Sequence, residues 1–312
     1  MTRTSAPVEP VAVSLCDGSA FRIIPADDGA GRIVSCLRDM MCLEKAPAAA
    51  GATVNIEVAC GAAGPRAGDP PGTAGELADA AIHLDQPALD CRVFLASQWR
   101  LRCVLSAYGD EIAFRARVVA LSLVLARLVE RNGGLLLHAA MIETNNVAAL
   151  LAGPGGMGKS TAAGRVPSAW AARSDDMALV VRDSAGRWWA HPWPTWSVFY
   201  PGPGWGTWDV TRGSRLGGIF FLDRKPVVGR DRLSVPRAFG ALRYRAWECT
   251  WNVLIGKADD AARTMHLQQF DNALALAREI PCRRLYVSLR NAFWHDIAGL
   301  PPFAADGTEG RS

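Results

Sequence analysis

Eight consecutive residues near the middle of the chain constrain its fold more than any other stretch. They are Gly153, Pro154, Gly155, Gly156, Met157, Gly158, Lys159 and Ser160. Their spacing fits G-x-x-x-x-G-K-[ST], a glycine-rich loop whose backbone N–H groups surround phosphate oxygens. Glycine lets the backbone adopt positive φ, and successive N–H groups then form a concave anion site. The stretch therefore predicts a phosphate-binding loop.

The residues on either side fit the structural context that such a loop requires. Residues 147–152 are apolar and uncharged, as expected of a buried strand, and residues 159–166 can form a short helix that Pro167 ends. The helix N-terminus would add its positive dipole end to the anion site. We expect Lys159 to contact the outer phosphates and the Ser160 hydroxyl to hold Mg²⁺. A glycine-rich turn without any ligand is the alternative.

Composition is that of an ordinary globular protein. The chain has 312 residues, half of them hydrophobic, and a formal net charge of +4, which suits one or two domains. So small a charge gives no reason to expect nucleic acid or a membrane as partner, and no apolar run approaches the roughly 18 residues of a membrane span. The eight cysteines form no C-x-x-C pair, and the N-terminus carries no export signal. We therefore expect free thiols and a cytoplasmic location.

The first 105 residues contain no catalytic motif and are predicted to form a small β-rich or α+β module. Short strands are predicted at 11–15, 20–24, 54–59, 91–95 and 100–105. Residues 29–44 are compatible with one strand or with a short helix. The glycine- and proline-rich segment 61–75 is predicted to be a loop. Packing alone and the capture of a peptide are both open roles for this module.

Residues 106–300 contain the loop and are predicted to form an α/β nucleotide domain. Apolar residues recur at helical spacing over 111–131, and this helix would join the module to the domain. Residues 135–143 and the strand before the loop would form a hairpin, so we expect a mixed sheet. Further strands are predicted at 177–181, 188–190, 216–222 and 284–289, and helices at 242–254 and 259–278. Residues 301–312 are predicted to be a disordered tail.

Two further positions carry groups that a phosphate site could use. Ser174, Asp175 and Asp176 directly precede the apolar segment 177–181, and His138 interrupts a run of leucines. Carboxylates can hold Mg²⁺ or accept a proton from a hydroxyl nucleophile. The alternatives are a solvated Asp-Asp turn and a core histidine with a satisfied hydrogen bond.

The order of these motifs resembles the kinase domain of the HPr kinase/phosphorylase family. The shared order is His138, a hairpin, the glycine-rich loop followed by Thr161, a short helix, and the pair Asp175 and Asp176. Relatives of that family include kinase-like proteins of peptide-modification cassettes. Among these, residues 191–197 (HPWPTWS) resemble the SynChlorMet cassette proteins of the HPr-kinase-like type. The resemblance covers about residues 130–225.

The resemblance implies an HPr-kinase-like fold and an ATP- and Mg²⁺-dependent kinase that phosphorylates a serine-type hydroxyl on a peptide or protein. Lys159 would bind the β- and γ-phosphates, and Ser160 and Asp175 would contact the metal. Asp176 would act as general base on the acceptor hydroxyl, with His138 beside it. Members of the family are often oligomeric, so the resemblance also suggests a homo-oligomer.

Two departures from the family pattern keep a second function open. HPr kinases carry a glutamate directly after the loop serine, where this chain has Thr161. They also carry a second metal-binding glutamate, for which residues 195–220 offer only Asp209. A chain without that ligand could hold a nucleotide as a scaffold without transferring phosphate.

A stretch rich in tryptophan, proline and glycine follows the motifs. Its aromatic residues are Trp193, Trp196, Phe199, Tyr200, Trp205 and Trp208. The prolines and glycines exclude a regular helix or a central strand. The rings could stack on a base, grip an extended peptide or simply cover the core. Arg212 and Arg215, before the next strand, could contact phosphate, but we expect them to be solvated or remote.

Overall fold

A computed structural model describes residues 9–45, 53–61, 83–84, 91–97, 100–195, 206–225, 232–251 and 260–304. Within these ranges the chain forms two mixed sheets of seven strands each and six helices. The predicted mixed α/β architecture is therefore confirmed. Most of the predicted loop 61–75 and the aromatic residues Trp196, Phe199, Tyr200 and Trp205 lie outside the described residues.

The N-terminal sheet is built from the first seven strands of the chain. They are β1 (Val11–Ser14), β2 (Ala20–Pro25), β3 (Glu44–Lys45), β4 (Val54–Cys60), β5 (His83–Leu84), β6 (Cys91–Ser97) and β7 (Arg100–Leu105), in the order β3-β1-β2-β4-β7-β6-β5. The pairs β2–β4 and β4–β7 are parallel, and the others are antiparallel. The predicted strands of this module are thus present.

Residues 29–44, for which the sequence was compatible with a strand or a helix, mostly form helix α1 (Asp28–Met41). Asp27 caps its N-terminus by accepting a hydrogen bond from Ala30 N–H, and Cys42 ends it in the left-handed region. Ile33 and Leu37 recur at helical spacing and are fully buried. An amphipathic helix was therefore encoded, and it packs on β2 and β4.

Helix α2 (Glu111–Glu130) joins the two sheets, as predicted. It is apolar on nearly every side, which is the pattern of a helix buried all round. Its side chains share one hydrophobic core with Ile23 and Ile56 of the N-terminal sheet and with Leu136 and Leu179 of the second sheet. The described part of the N-terminal module is therefore packed directly onto the domain that carries the loop.

The second sheet contains the predicted hairpin and the strand that leads into the loop. Its strands are β8 (Leu135–Thr144), β9 (Val147–Ala152), β10 (Ala171–Ser174), β11 (Met177–Arg182), β12 (Trp188–Pro192), β13 (Ser214–Asp223) and β14 (Cys282–Tyr286). Strand β9 pairs antiparallel with β8 and parallel with β13, and β13 pairs parallel with β14. The C-terminal ends of β9, β13 and β14 therefore lie at one edge, where ligands bind in open α/β sheets.

Strands β10 and β11 lie end to end, and both pair antiparallel with β8. Ser174 lies opposite Met141 and Met177 opposite His138, with a register shift between Ala172 and Ser174. The two residues between the strands, Asp175 and Asp176, leave the ladder beside His138. The interruption places both acids next to the start of the loop, because β8 also pairs with the end of β9.

The C-terminal part contributes α3 (Lys159–Ala163), α4 (Val235–Trp251), α5 (Asp260–Glu279) and α6 (Trp294–Ala298). Helix α3 is shorter than predicted, so its dipole adds little to the anion site. The predicted tail was wrong at its start, because Phe303 is buried and lies 6.1 Å from the Trp170 ring. Residues 305–312 lie outside the described ranges. None of the described helices is both long and apolar enough to cross a membrane.

Candidate functional site

The glycine-rich stretch forms a loop between β9 and α3, at the predicted place. Gly156 and Gly158 have φ of 72° and 100°, which only glycine adopts without strain. A Cβ at Gly153 would lie 3.1 Å from the Met157 side chain, so a larger residue there would force that side chain to shift. At Gly155, Gly156 and Gly158 a Cβ would meet nothing within 4 Å. One face of the loop is therefore open.

Lys159 is buried and its side chain folds back onto the loop. Only 4% of the residue is exposed. Its Nζ donates to the backbone oxygens of Gly153 at 3.0 Å and Pro154 at 3.3 Å. The same Nζ lies 3.2 Å from Asp176 Oδ1 and 2.8 Å from His138 Nε2. The loop and the predicted acid therefore meet at one ammonium group.

Asp176 and His138 contact each other directly, as the resemblance implied. His138 Nε2 lies 2.8 Å from Asp176 Oδ1. Burial alone would raise the pKa of Asp176, but the hydrogen bond and charge of His138 and the charge of Lys159 together lower it. Asp176 is therefore an ionised carboxylate at neutral pH. His138 Nε2 either donates to Asp176 or accepts from Lys159, according to its protonation state.

Asp175 has the opposite electrostatic environment from its neighbour. Burial, followed by the negative charge of Asp176, raises the pKa of the Asp175 carboxyl. Thr195 Oγ1 donates to Asp175 Oδ1 at 3.4 Å, and Ser160 Oγ donates to the Asp175 backbone oxygen at 3.3 Å. Two adjacent carboxyl groups with opposite pKa shifts are suited to different roles.

Sequence reasoning missed one residue of this cluster, Glu248 on α4. Its Oε2 lies 2.8 Å from His138 Nδ1 and 2.7 Å from Arg245 Nη1. The contact joins a ring nitrogen of the histidine to a carboxylate oxygen, so Glu248 fixes the orientation of the imidazole. The one sequence signal was that Glu248 is the sole acidic residue of its helix. His138 is thus held between two carboxylates, one from each side of the site.

Several other predicted candidates are not part of this cluster. Trp193 and Trp208 are buried in the core, so the described part of the aromatic stretch packs over the core. Arg215 pairs with Val147, at the end of β9 remote from the loop. Arg212 lies there too, 3.8 Å from Glu143 and largely exposed. The sequence-based preference for remote arginines is consistent with this placement.

The donor set can be compared with what Mg²⁺ requires. Among the described residues no group of three or more His, Cys, Asp or Glu side chains is arranged for a metal ion. The Ser160 hydroxyl nevertheless contacts the backbone oxygen of Asp175, so it lies beside the residue whose carboxyl is the candidate metal ligand. Mg²⁺ binds through one or two protein oxygens when phosphate oxygens and water complete its shell. The residues therefore fit a metal that arrives with a nucleotide.

Comparison with known proteins identifies the family. No curated protein matches the chain. Residues 101–300, well over half of the sequence, match the family model described as ScmC, SynChlorMet cassette protein. The matched range contains the loop, His138, both aspartates and Glu248. The chain therefore belongs to the ScmC family of SynChlorMet cassette proteins.

Proposed function

We propose that this chain is an ATP- and Mg²⁺-dependent kinase of the HPr-kinase-like type, which phosphorylates a serine-type hydroxyl on a peptide or protein in a peptide-modification pathway. One observation carries the proposal: Lys159 Nζ lies 3.2 Å from Asp176 Oδ1. A phosphate-binding cation and an ionised carboxylate thus share one site. This combination suits phosphoryl transfer, which depends on positioning and charge neutralisation more than on strong bases.

The glycine-rich loop and Lys159 bind the phosphates in this mechanism. The backbone N–H groups of the loop surround the phosphate oxygens, and the Lys159 ammonium contacts the outer phosphates. Ser160 and Asp175 would hold Mg²⁺, which supplies positive charge against the phosphate oxygens. The open face at Gly155, Gly156 and Gly158 leaves room for such a ligand.

Asp176 supplies the proton acceptor. It takes the proton of the acceptor hydroxyl while the hydroxyl oxygen bonds to the γ-phosphorus and the bond to the ADP oxygen breaks. The lowered pKa of Asp176 keeps it ionised and ready to accept. His138, fixed by Glu248 on its other nitrogen, orients the carboxylate. ADP and a phosphorylated hydroxyl are the products.

A nucleotide-binding scaffold without phosphoryl transfer is the second candidate. Thr161 replaces the glutamate that follows the loop serine in HPr kinases. Asp209, the one acid between residues 195 and 220, is exposed and accepts a hydrogen bond from its neighbour Thr211. The site thus has one candidate carboxylate for the metal, Asp175, which favours weak or absent transfer.

Labelled ATP separates the two candidates. The purified chain is incubated with γ-labelled ATP, Mg²⁺ and the short peptides encoded beside its gene. We expect label on a peptide hydroxyl with the wild-type chain and none with Lys159→Ala. Lys225→Ala, at an exposed lysine, is the matched control and should behave as wild type. ATP binding without any transfer would favour the scaffold, and a chain that binds no ATP would exclude both functions.

A further inference from the structure

We infer that Arg224 is a second cationic contact for the phosphates at the glycine-rich loop, an inference that rests on the proposed nucleotide site. Strands β13 and β9 are parallel, and Phe221 lies opposite Ala152. Arg224 and Gly155 each follow those partners by three positions, so the arginine leaves the sheet beside the loop. Its guanidinium donates a hydrogen bond to the backbone oxygen of Gly156.

The charge of Arg224 is not committed to a carboxylate of the described chain. Its neighbour Asp223 is already engaged, because it accepts from Arg284 and from the Lys225 backbone N–H. Arg224 itself is exposed and contacts a loop carbonyl. A guanidinium has five N–H donors, so this one contact leaves most of them available for another acceptor. Its planar fork suits the bidentate binding of phosphate.

The negative charge of the site is the reason why a second cation would aid phosphate binding. Asp175, Asp176 and Glu248 cluster around Lys159 and His138, and Lys159 already contacts Asp176. A nucleotide triphosphate would add several negative charges to this acidic surrounding. A cation that contacts the loop would offset that repulsion and stabilise charge on the transferring phosphate.

Nucleotide affinity measured by titration calorimetry tests the inference. We compare ATP, ADP and AMP on the wild-type chain, Arg224→Ala, Arg224→Lys and, as a control, Lys225→Ala. An exposed charge-assisted hydrogen bond predicts that Arg224→Ala weakens ATP binding about tenfold. We expect a smaller loss for ADP, the smallest for AMP, partial retention in Arg224→Lys and no change in Lys225→Ala.

Three other outcomes would count against the inference, and they differ in what they exclude. Unchanged ATP affinity in Arg224→Ala removes the phosphate contact while the proposed function stands. An equal loss for all three nucleotides, or a lowered melting temperature, would mean that Arg224 only supports the loop through Gly156. A wild-type chain that binds no ATP overturns the proposed function itself, and this inference with it.

Discussion

Two strand–turn–helix units of this chain differ in what occupies the turn between the strand and the helix: a carboxylate in one and a glycine-rich loop in the other. In the N-terminal sheet, Asp27 closes the turn from β2 to α1 by accepting from the N–H groups of Ala30 and Cys60, both at 2.8 Å. In the second sheet, the turn from β9 to α3 is the glycine-rich loop. No side chain caps α3, whose N-cap residue is Gly158.

The difference shows where the chain leaves backbone N–H groups without a side-chain acceptor, so that a ligand could accept from them. We call the turn at Asp27 the closed turn and the glycine-rich loop the open turn. Asp110 caps α2 as Asp27 caps α1, so both of these longer helices begin at a carboxylate. At the loop the chain places a lysine instead, and its glycines leave one face open. A closed turn stabilises the fold, whereas an open one with a cation is suited to an anionic ligand.

Removing the proton acceptor beside the open turn should have the largest effect. Asp176→Asn keeps the shape but cannot accept a proton, so we expect the rate of phosphoryl transfer to fall about 10²- to 10⁴-fold. ATP affinity should change little, because the phosphates contact the loop and Lys159. Single-turnover transfer from γ-labelled ATP measures the rate, and Asp209→Asn is the control. An unchanged rate would remove the role of Asp176 as base.

Closing the open turn should have the next largest effect. Gly155→Asp places a carboxylate over the loop, as Asp27 does at the other turn. Gly155 has no positive φ and no atom within 4 Å of an added Cβ, so the fold should accept the change. Repulsion between the carboxylate and phosphate predicts roughly 100-fold weaker ATP binding. Gly155→Ala should bind ATP normally, and equal loss in both variants would contradict the electrostatic explanation.

The open turn could be predicted from sequence because its signal is local. The glycines, Lys159 and the apolar strand before them are neighbours in the chain, and each has a direct physical requirement. The hairpin β8–β9 was predictable for the same reason, since a short polar turn separates two apolar runs. The acid pair followed from its position before a buried strand, although its contact with His138 needed the β8–β11 register.

Features set by distant contacts could not be predicted. Glu248 meets His138 across 110 positions of sequence, and a single acidic residue in a helix does not indicate which way it faces. Phe303 stands in a segment of tail-like composition, yet it packs against Trp170 and Phe220. Asp27 caps α1 locally, but the second hydrogen bond that it accepts, from Cys60 N–H of β4, spans 33 positions of sequence and left no local signal.

Glu248 contacts His138 on the side of the ring opposite Asp176, so substituting it tests whether the histidine must be held in place. Glu248→Gln should allow the His138 ring to reorient, and we expect transfer to slow about tenfold while the KM for ATP stays the same. The pH dependence of the rate should also change, because the charge beside Nδ1 is lost. Glu279→Gln is the matched control, since Glu279 pairs with Arg182 away from the site. A higher KM with an unchanged rate would contradict a positioning role.

A substitution in the closed turn should lower the stability of the fold and leave ATP affinity unchanged. Asp27→Ala removes the acceptor for two backbone N–H groups, which predicts a loss of about 1 to 2 kcal/mol in the free energy of unfolding. ATP affinity should stay at the wild-type value. Urea denaturation and calorimetry on the same sample measure the two quantities. Weaker ATP binding at unchanged stability would mean that the two turns do not divide these roles.

A third turn tests whether a carboxylate also stabilises a turn of the second sheet. We expect its removal to have the smallest effect of these changes. In the second sheet, Asp183 closes the β11–β12 turn by accepting from the Arg187 backbone N–H and from Trp189 Nε1. These hydrogen bonds lower the pKa of Asp183 from 3.8 to about 2. A lowered pKa means that its stabilisation is complete above pH 3.8 and is lost as the pH falls through about 2. The melting temperature of Asp183→Asn should therefore lie below wild type at pH 7, with the gap narrowing between pH 3.8 and 2. A gap that stays constant over this range would show that the carboxylate charge does not hold the turn.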